Sequence, residues 1–187
     1  KGLKTYSGMI NMNGTDQSTI EKCEIKYLNN YHYIEKENVS WYSSWGRTKW
    51  TNILSHGIGI GVFGNNNLIT DCEIAYSSGD CITLYGSNNT VSNCVIHDAN
   101  YLGADMAPIA LGGVGNTITH NEIYNGGRGV ITSLSAEEFH INYNEIHTAG
   151  LLNWDIGCLY TYDTDSKGGE ISYNWIYDAN PSNPEST

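Results

Sequence analysis

Shortages of cations and of long apolar runs narrow the function classes open to this 187-residue chain. Only 9 residues are Lys or Arg against 20 Asp or Glu, so the formal net charge is −11. Sequence-independent binding to nucleic acid or to an anionic membrane requires clustered cations, and we expect neither partner. No run approaches about 18 consecutive apolar residues, so we expect no membrane insertion.

Cysteine and proline are also scarce. The five Cys are an odd number without close spacing, which excludes a dense disulfide scaffold and leaves any pairing unassigned. There are only 3 Pro, whereas Gly contributes 21 residues and Asn 22, a balance typical of stacked turns and short strands. The chain opens on Lys1 without an apolar signal region, so we expect a mature or excised part of a longer multidomain chain.

A short phrase repeats along the sequence, with polar residues followed by Cys or Asn, one variable residue and an anchor Ile. The anchors are Ile25, Ile74, Ile96, Ile123, Ile146 and Ile176. From Ile74 onward they are 22, 27, 23 and 30 residues apart, which is typical of a solenoid whose loops vary in length. Between the anchors lie β-branched segments such as CITLYG (81–86), which predict strands and keep no helical period.

The position two residues before each anchor is always Cys or Asn: Cys23, Cys72, Cys94, Asn121, Asn144 and Asn174. Strands that return at a fixed step stack in parallel about 4.8 Å apart. Aligned polar side chains can then hydrogen-bond from coil to coil, so we interpret these residues as a structural ladder rather than metal ligands. The sequence predicts an all-β parallel solenoid of roughly eight coils.

This pattern resembles the right-handed parallel β-helix family, the pectin-lyase-like fold. The resemblance covers residues ~50–180 through NNTVSNCVIHDAN (88–100), GNTITHNEIYNGG (115–127), FHINYNEIHTAG (139–150) and GGEISYNWIYDAN (168–180). Before residue 50, only STIEKCEIKYLN (18–29) matches a coil. We therefore divide the chain into an irregular N-terminal region or cap (1–50), regular coils (51–180) and a linker or truncated tail (181–187).

Two long insertions, at 96–111 and 146–161, are copies of each other. In each, a His follows the anchor Ile and an Asp comes eight residues later: His97 with Asp105, and His147 with Asp155. The two Asp enter strands two coils apart, so their backbones should lie about 9–10 Å apart. Carboxyl groups about 6.5–9.5 Å apart suit an inverting glycosidase, and about 5–5.5 Å a retaining one. Asp105 and Asp155 are therefore predicted as an acid/base pair; the alternatives are turn caps or ligands of a structural Ca²⁺.

Other candidates surround this pair. Asp80 lies at the matching strand edge one coil below, where like-charge repulsion can tune a neighbouring carboxyl group. Arg128 precedes the intervening strand, and the short link at 125–127 predicts an open notch between two loop walls. Substrate contacts are predicted for six further residues. These are the aromatic Tyr101, Trp154, Tyr160 and Tyr162, whose rings pack against sugars, and the imidazoles of His97 and His147, which either orient the carboxylates or bind loop carbonyls.

The resemblance implies a secreted or surface-exposed protein that acts on polysaccharide, and the fold hosts several reactions. The paired Asp favour a glycoside hydrolase that requires no cofactor. Polysaccharide lyases of this fold use Lys or Arg, often with Ca²⁺, to abstract a proton from a uronate, and a chain with so few cations suits a neutral glycan better. The alternatives are a Ca²⁺-assisted lyase and a non-catalytic carbohydrate-binding or structural β-helix.

Overall fold

The computed structural model describes residues 2–29, 57–101, 103, 105–153, 156–162 and 165–179. Nineteen strands in these residues form three sheets. Sheet A contains β1 (Lys4–Gly8), β4 (Glu24–Leu28), β7 (Glu73–Ser77), β10 (Val95–Ala99), β13 (Glu122–Gly126), β16 (Glu145–Ala149) and β19 (Trp175–Ala179). None of the residues so described forms a helix with the length and apolarity that a membrane crossing needs.

The other two sheets have six strands each. Sheet B contains β2 (Ile10–Asn11), β5 (Ile58–Val62), β8 (Asp80–Leu84), β11 (Ile109–Val114), β14 (Ile131–Glu137) and β17 (Leu159–Tyr162). Sheet C contains β3 (Thr19–Glu21), β6 (Leu68–Thr70), β9 (Thr90–Ser92), β12 (Thr117–Thr119), β15 (His140–Asn142) and β18 (Glu170–Ser172).

Every neighbouring pair of strands is parallel, and the chain visits sheets B, C and A in turn. The predicted all-β parallel solenoid is therefore confirmed. The described residues form six complete coils and the leading strand β1, where the sequence suggests roughly eight. Residues 4–28, predicted to be irregular apart from one matching segment, contribute four strands to the stack. The predicted boundary at 50/51 lies outside the described residues. The predicted tail at 181–187 lies outside the described residues.

The anchor Ile residues form one unbroken column in sheet A, each paired in register with the next. From Ile25 to Ile146 they are completely buried, because successive side chains of a strand alternate between the interior and the outer face. Similar columns of Ile, Leu and Val line the inner faces of sheets B and C. The core is thus a stack of branched aliphatic residues, each contributing about 1.5–3 kcal/mol of burial.

The predicted ladder is present at the turn from sheet C to sheet A. Asn144 Oδ1 accepts the backbone N–H and the Nδ2 of Asn121 at 3.0 Å each, and Asn174 Oδ1 accepts the same two groups of Asn144. A second ladder, which we did not predict, runs through the turn from sheet B to sheet C, where Asn89 N donates to Asn116 Oδ1 at 2.8 Å. These ladders satisfy buried backbone groups that the tight turns leave without strand partners.

All five cysteines are buried free thiols. Cys23, Cys72 and Cys94 occupy the first three positions of the ladder between sheets C and A. The Cys72 thiol donates to the Thr70 carbonyl at 3.0 Å. Cys81 lies in the core, where burial raises the pKa of its thiol. The cysteines therefore act as small core and ladder residues.

Candidate functional site

The sequence-predicted site lies where the chain passes from sheet A to sheet B. Long connections span 100–108 and 150–158, and the coil between them has only the short link at 127–130. We call this region the loop edge. It adjoins the beginnings of β8, β11, β14 and β17, so residues distant in sequence meet along one side of the stack.

Arg128 brings three of the predicted residues together at the loop edge. Its Nη1 lies 2.6 Å from Asp105 Oδ1, and its guanidinium carbon lies 4.8 Å from the centre of the Tyr160 ring. Arg128 is only 8% exposed, whereas the Asp105 side chain is about one-third exposed. The ion pair and the cation–π contact hold the carboxylate and the ring at fixed positions.

This arrangement bears on the lyase alternative. A lyase of this kind needs a basic side chain that can take the C5 proton of a uronate. Arg128 instead contacts Asp105 and Tyr160 and is almost completely buried. The geometry therefore disfavours Arg128 as the base of a lyase.

Asp80, the first residue of β8, is buried and contacts the long loop of the next coil. Its Oδ1 accepts the backbone N–H of Ala107, and its Oδ2 accepts the hydroxyl of Thr83, both at 2.9 Å. Because Ala107 lies two residues after Asp105, Asp80 fixes the end of the loop that carries the predicted catalytic carboxylate. The structure thus gives Asp80 an anchoring role, and its predicted tuning of a neighbouring carboxyl group stays a prediction.

The prediction of an open notch is wrong, because residues 150–153 cross the short link and contact the other long loop. Gly150 N donates to Arg128 O and Leu152 N to Gly127 O, both at 2.8 Å, and Asn153 Nδ2 donates to Gly103 O at 3.0 Å. The reason is that the short link presents backbone carbonyls which the amides of the next loop satisfy. A Cβ on Gly127 would lie 2.1 Å from Asn100 O, so only glycine fits there.

Not every predicted site residue can be placed. Asp155 and Trp154 lie outside the described residues, so the separation of the Asp105 and Asp155 carboxyls stays a prediction. Tyr162 belongs to β17, but its side chain also lies outside the description. Tyr101 is half-exposed at the start of the first long loop, where partial burial and the nearby Asp98 raise its pKa to about 12.

His97 and His147 lie on the outer face of sheet A and form a stack of rings with Tyr124 and Tyr177. Successive ring centres are 4.9, 4.9 and 4.7 Å apart, and the planes differ by 8° or less. We call these four residues the ring column. Both His belong to the long insertions of the sequence, but each directly follows a buried anchor Ile and therefore faces outward from a strand.

The imidazoles of the ring column contact neighbouring side chains, whereas the sequence left two roles open, orienting the loop-edge carboxylates or binding loop carbonyls. His97 Nδ1 lies 2.5 Å from Asp98 Oδ2, and its Nε2 lies 3.4 Å from Glu73 Oε1. His147 Nδ1 lies 2.8 Å from Thr148 Oγ1 and its Nε2 3.8 Å from Glu122 Oε1. These contacts correct the predicted partners, because strand alternation rather than loop position decides where the rings lie.

Carboxylates accompany the ring column. Glu73 contacts the Lys26 ammonium at 2.6 Å as well as His97, and the Lys26 contact is the main reason that the Glu73 pKa is lowered. Glu145 accepts the Tyr177 hydroxyl at 2.6 Å. None of these carboxylates is among the predicted site residues, although Glu, His and Tyr at outward positions on either side of the anchors mark this surface in the sequence.

The two loop-edge carboxylates among the described residues, Asp80 and Asp105, have partners within the protein. The Asp80 oxygens accept from Ala107 and Thr83, and Asp105 pairs with a guanidinium. Elsewhere in the part of the chain that the structure describes, no group of three or more His, Cys, Asp or Glu is placed to hold a metal ion.

A family model described as a right-handed β-helix region matches residues 58–183, more than half of the chain. The match begins at the first residue of β5 and covers the five coils that follow. Comparison with the curated proteins and with the solved structures gave no significant match. The comparisons therefore support the handedness of the stack and leave the reaction to be argued from the site.

Proposed function

The chain belongs to the right-handed β-helix family, a fold that fits polysaccharide-active proteins, and we propose that it is a glycoside hydrolase acting at the loop edge. The observation that carries this proposal is the triplet of Arg128, Asp105 and Tyr160. A buried guanidinium at the side of the stack contacts both a carboxylate and an aromatic ring. Acid chemistry needs a carboxyl group and sugar contact an aromatic face, and Arg128 contacts one of each.

Asp105 and Asp155 form the proposed catalytic pair. One carboxyl group donates its proton to the glycosidic oxygen as the bond to the anomeric carbon breaks. The other removes a proton from the attacking water in an inverting reaction, or itself attacks the anomeric carbon in a retaining one. Arg128 and Asp80 are positioning residues, since Arg128 orients Asp105 and Asp80 anchors the loop through Ala107.

The substrate we propose is an uncharged polysaccharide. The chain carries a net charge of −11, and Arg128, the predicted cation of the loop edge, pairs with Asp105. A uronate-rich chain would meet electrostatic repulsion that Arg128, already paired with Asp105, does not offset. Tyr160 supports this substrate, and Trp154, Tyr162 and Tyr101 are further proposed contacts. A polysaccharide substrate also implies that the protein works outside the cell or at its surface.

A non-catalytic binding module is the second candidate, and one observation favours it. Asp105 is held by Arg128, and residues 150–153 bridge the loops where the sequence predicts an open notch. A closed loop edge of this kind suits a structural role for Asp105. The two candidates differ in whether any glycosidic bond is broken.

The test is a panel of neutral and acidic polysaccharides, with reducing ends and the ultraviolet absorbance of unsaturated sugars followed together. We expect new reducing ends without absorbance, lost in Asp105→Asn and in Asp155→Asn. Asp71→Asn makes the same chemical change at an exposed turn residue and should retain activity. Ultraviolet absorbance would replace the hydrolase by a lyase, and silence in both channels would overturn the enzyme proposal.

A further inference from the structure

Exposed aromatic residues crowd the corner between sheets C and A in the last three coils. His120, Tyr143 and Tyr173 occupy the turn position of successive coils, and Trp175 follows Tyr173 by two residues. We call these four residues the aromatic corner. It lies at the turn from sheet C to sheet A, whereas the loop edge lies at the turn from sheet A to sheet B.

The backbone conformation of this corner is unfavourable for aromatic side chains. The turn residue is left-handed in every coil, with φ between 52° and 56°, and the first three coils place Lys22, Asp71 and Asn93 there. Asn and Asp tolerate this conformation, whereas a bulky side chain is strained in it. Tyr143 and Tyr173 therefore cost conformational energy that an Asn would avoid.

Burial does not offset that cost. Tyr143 is 52% exposed, Tyr173 75% and Trp175 67%. The rings do stack on one another, with centres 5.1 Å apart from His120 to Tyr143 and 5.0 Å apart from Tyr143 to Tyr173. This stacking orders the surface but leaves large apolar areas in water, and a contiguous exposed aromatic patch is typical of a binding site.

The aromatic corner joins the ring column through Trp175. Its ring centre lies 5.1 Å from that of Tyr177, with the planes tilted by 43°. Along the helix axis both columns repeat at about 5 Å, because the coils stack at the strand spacing. That step is close to the advance of one sugar residue in an extended glycan, so successive sugars can meet equivalent groups on successive coils.

The neighbouring charges select against acidic sugars. In sheet A, Glu145 lies in register with Trp175 on the next strand, and Glu122 lies in register with Glu145. On sheet C, the Glu170 carboxylate lies 3.7 Å from the His140 ring. Carboxylates accept hydrogen bonds from sugar hydroxyls and repel uronates. We infer that the aromatic corner is a second, non-catalytic surface that binds an extended uncharged polysaccharide along the helix axis. The inference rests on the proposed function, since it names a further contact for the same class of substrate.

The test replaces the exposed tyrosines by the residue that another coil has at the same turn position. Asn93 already occupies the equivalent left-handed position, so Tyr143→Asn/Tyr173→Asn removes two rings in a conformation that Asn accepts. Trp175→Ser removes the third exposed ring. The matched control is Tyr27→Asn, a half-exposed tyrosine with φ 59° that stacks on Tyr76 and whose equivalent three coils later is Asn125.

Binding is measured by affinity electrophoresis in gels containing xylan, arabinan or polygalacturonate. We expect wild type to be retarded by a neutral glycan, the corner variants to lose about tenfold in affinity, and the control to match wild type. The double Asn variant should melt at the same temperature as wild type or higher, which separates lost binding from lost folding. Unchanged retardation of the corner variants would overturn the inference. Self-association of wild type that these substitutions abolish would also overturn it, because the aromatic corner would then bind a second copy of the chain.

A second readout keeps this inference distinct from the proposed function. Hydrolysis of a short soluble oligosaccharide requires the loop edge alone, so the corner variants should retain it. Hydrolysis by wild type together with unaltered binding by the corner variants would overturn only the second surface. A wild-type protein that neither binds nor hydrolyses any member of the panel would overturn both proposals.

Discussion

The guanidinium of Arg128 and the carboxylate of Asp105 form a 2.6 Å ion pair between two successive connections of the β-helix. Arg128 belongs to the short link before β14, and Asp105 to the long loop before β11. The pair therefore joins neighbouring coils at the side where the proposed chemistry takes place. Because one partner is nearly buried and the other partly exposed, its contribution lies between those of surface and interior ion pairs.

A double-mutant cycle with Arg128→Met and Asp105→Asn should give a coupling free energy of about 1–2 kcal/mol in favour of the native pair. Either single change leaves the other group without its main partner, whereas the double variant removes both charges. The free energies of unfolding are measured by urea denaturation. Additive effects, within about 0.5 kcal/mol, would show that the ion pair does not hold the two connections together.

Two anchor isoleucines offer a matched pair of core truncations. Ile96 is completely buried, whereas Ile176, at the equivalent position of the last described coil, is 43% exposed. Ile96→Ala should lower the free energy of unfolding by about 2–5 kcal/mol through lost burial and the remaining cavity. Ile176→Ala should cost about 1 kcal/mol or less, since its side chain already meets water. Equal costs in chemical denaturation would contradict this account of the stack.

The Asn ladder should be intolerant of truncation in its interior. Asn144 Nδ2 donates to the carbonyls of Ile118 and Asn142 and to Asn174 Oδ1, and its Oδ1 accepts two bonds from Asn121. Asn144→Ala leaves several buried groups unsatisfied and should cost about 2–4 kcal/mol. Asn174→Ala at the half-exposed end of the ladder should cost about 1 kcal/mol, because water can replace its bonds. Denaturation midpoints compare the two, and the reverse order would refute the ladder's role.

The Tyr177 phenol should lose its proton at a higher pH than an ordinary tyrosine. Its hydrogen bond to Glu145, with a smaller effect of desolvation, raises its pKa to about 12 from an ordinary value of about 10. A raised pKa in the folded state stabilises the protein below the unfolded value, and that contribution disappears as the pH rises from about 10 to 12. Tyrosinate absorbance is followed against pH in wild type and in Tyr177→Phe. The difference between the two titrations belongs to Tyr177 and should have its midpoint near pH 12.

The matched variant for this titration is Glu145→Gln, which removes the acceptor charge but keeps the size of the side chain. The Tyr177 midpoint should then fall toward its ordinary value, because the charged partner no longer favours the protonated phenol. An identical midpoint in wild type and Glu145→Gln would exclude the hydrogen bond as the cause.

The candidate site was only partly predictable. Shared strand edges follow from the repeat, which is why the sequence groups Asp105, Arg128 and Tyr160 along one side. Arg128 contacts the other two in the structure, and their roles stay predictions. The bridge from Asn153 to Gly103 was not predictable, because loop backbone groups find partners that no periodic pattern specifies. His97 belongs to the first long insertion of the sequence, although the alternation after Ile96 places it on an outer face.

The sequence by itself determined the stack. The spacing of the anchor Ile residues and of the Cys and Asn residues two positions before them specifies parallel strands, an aliphatic interior and a polar ladder. These features depend on local alternation and on a repeat, both of which can be read along the chain. Only the tertiary structure decided that Arg128 binds Asp105, that the two long loops touch, and that His97 stacks on Tyr124. Those contacts join residues through the directions of individual side chains and loops, which are settled only when neighbouring coils pack together.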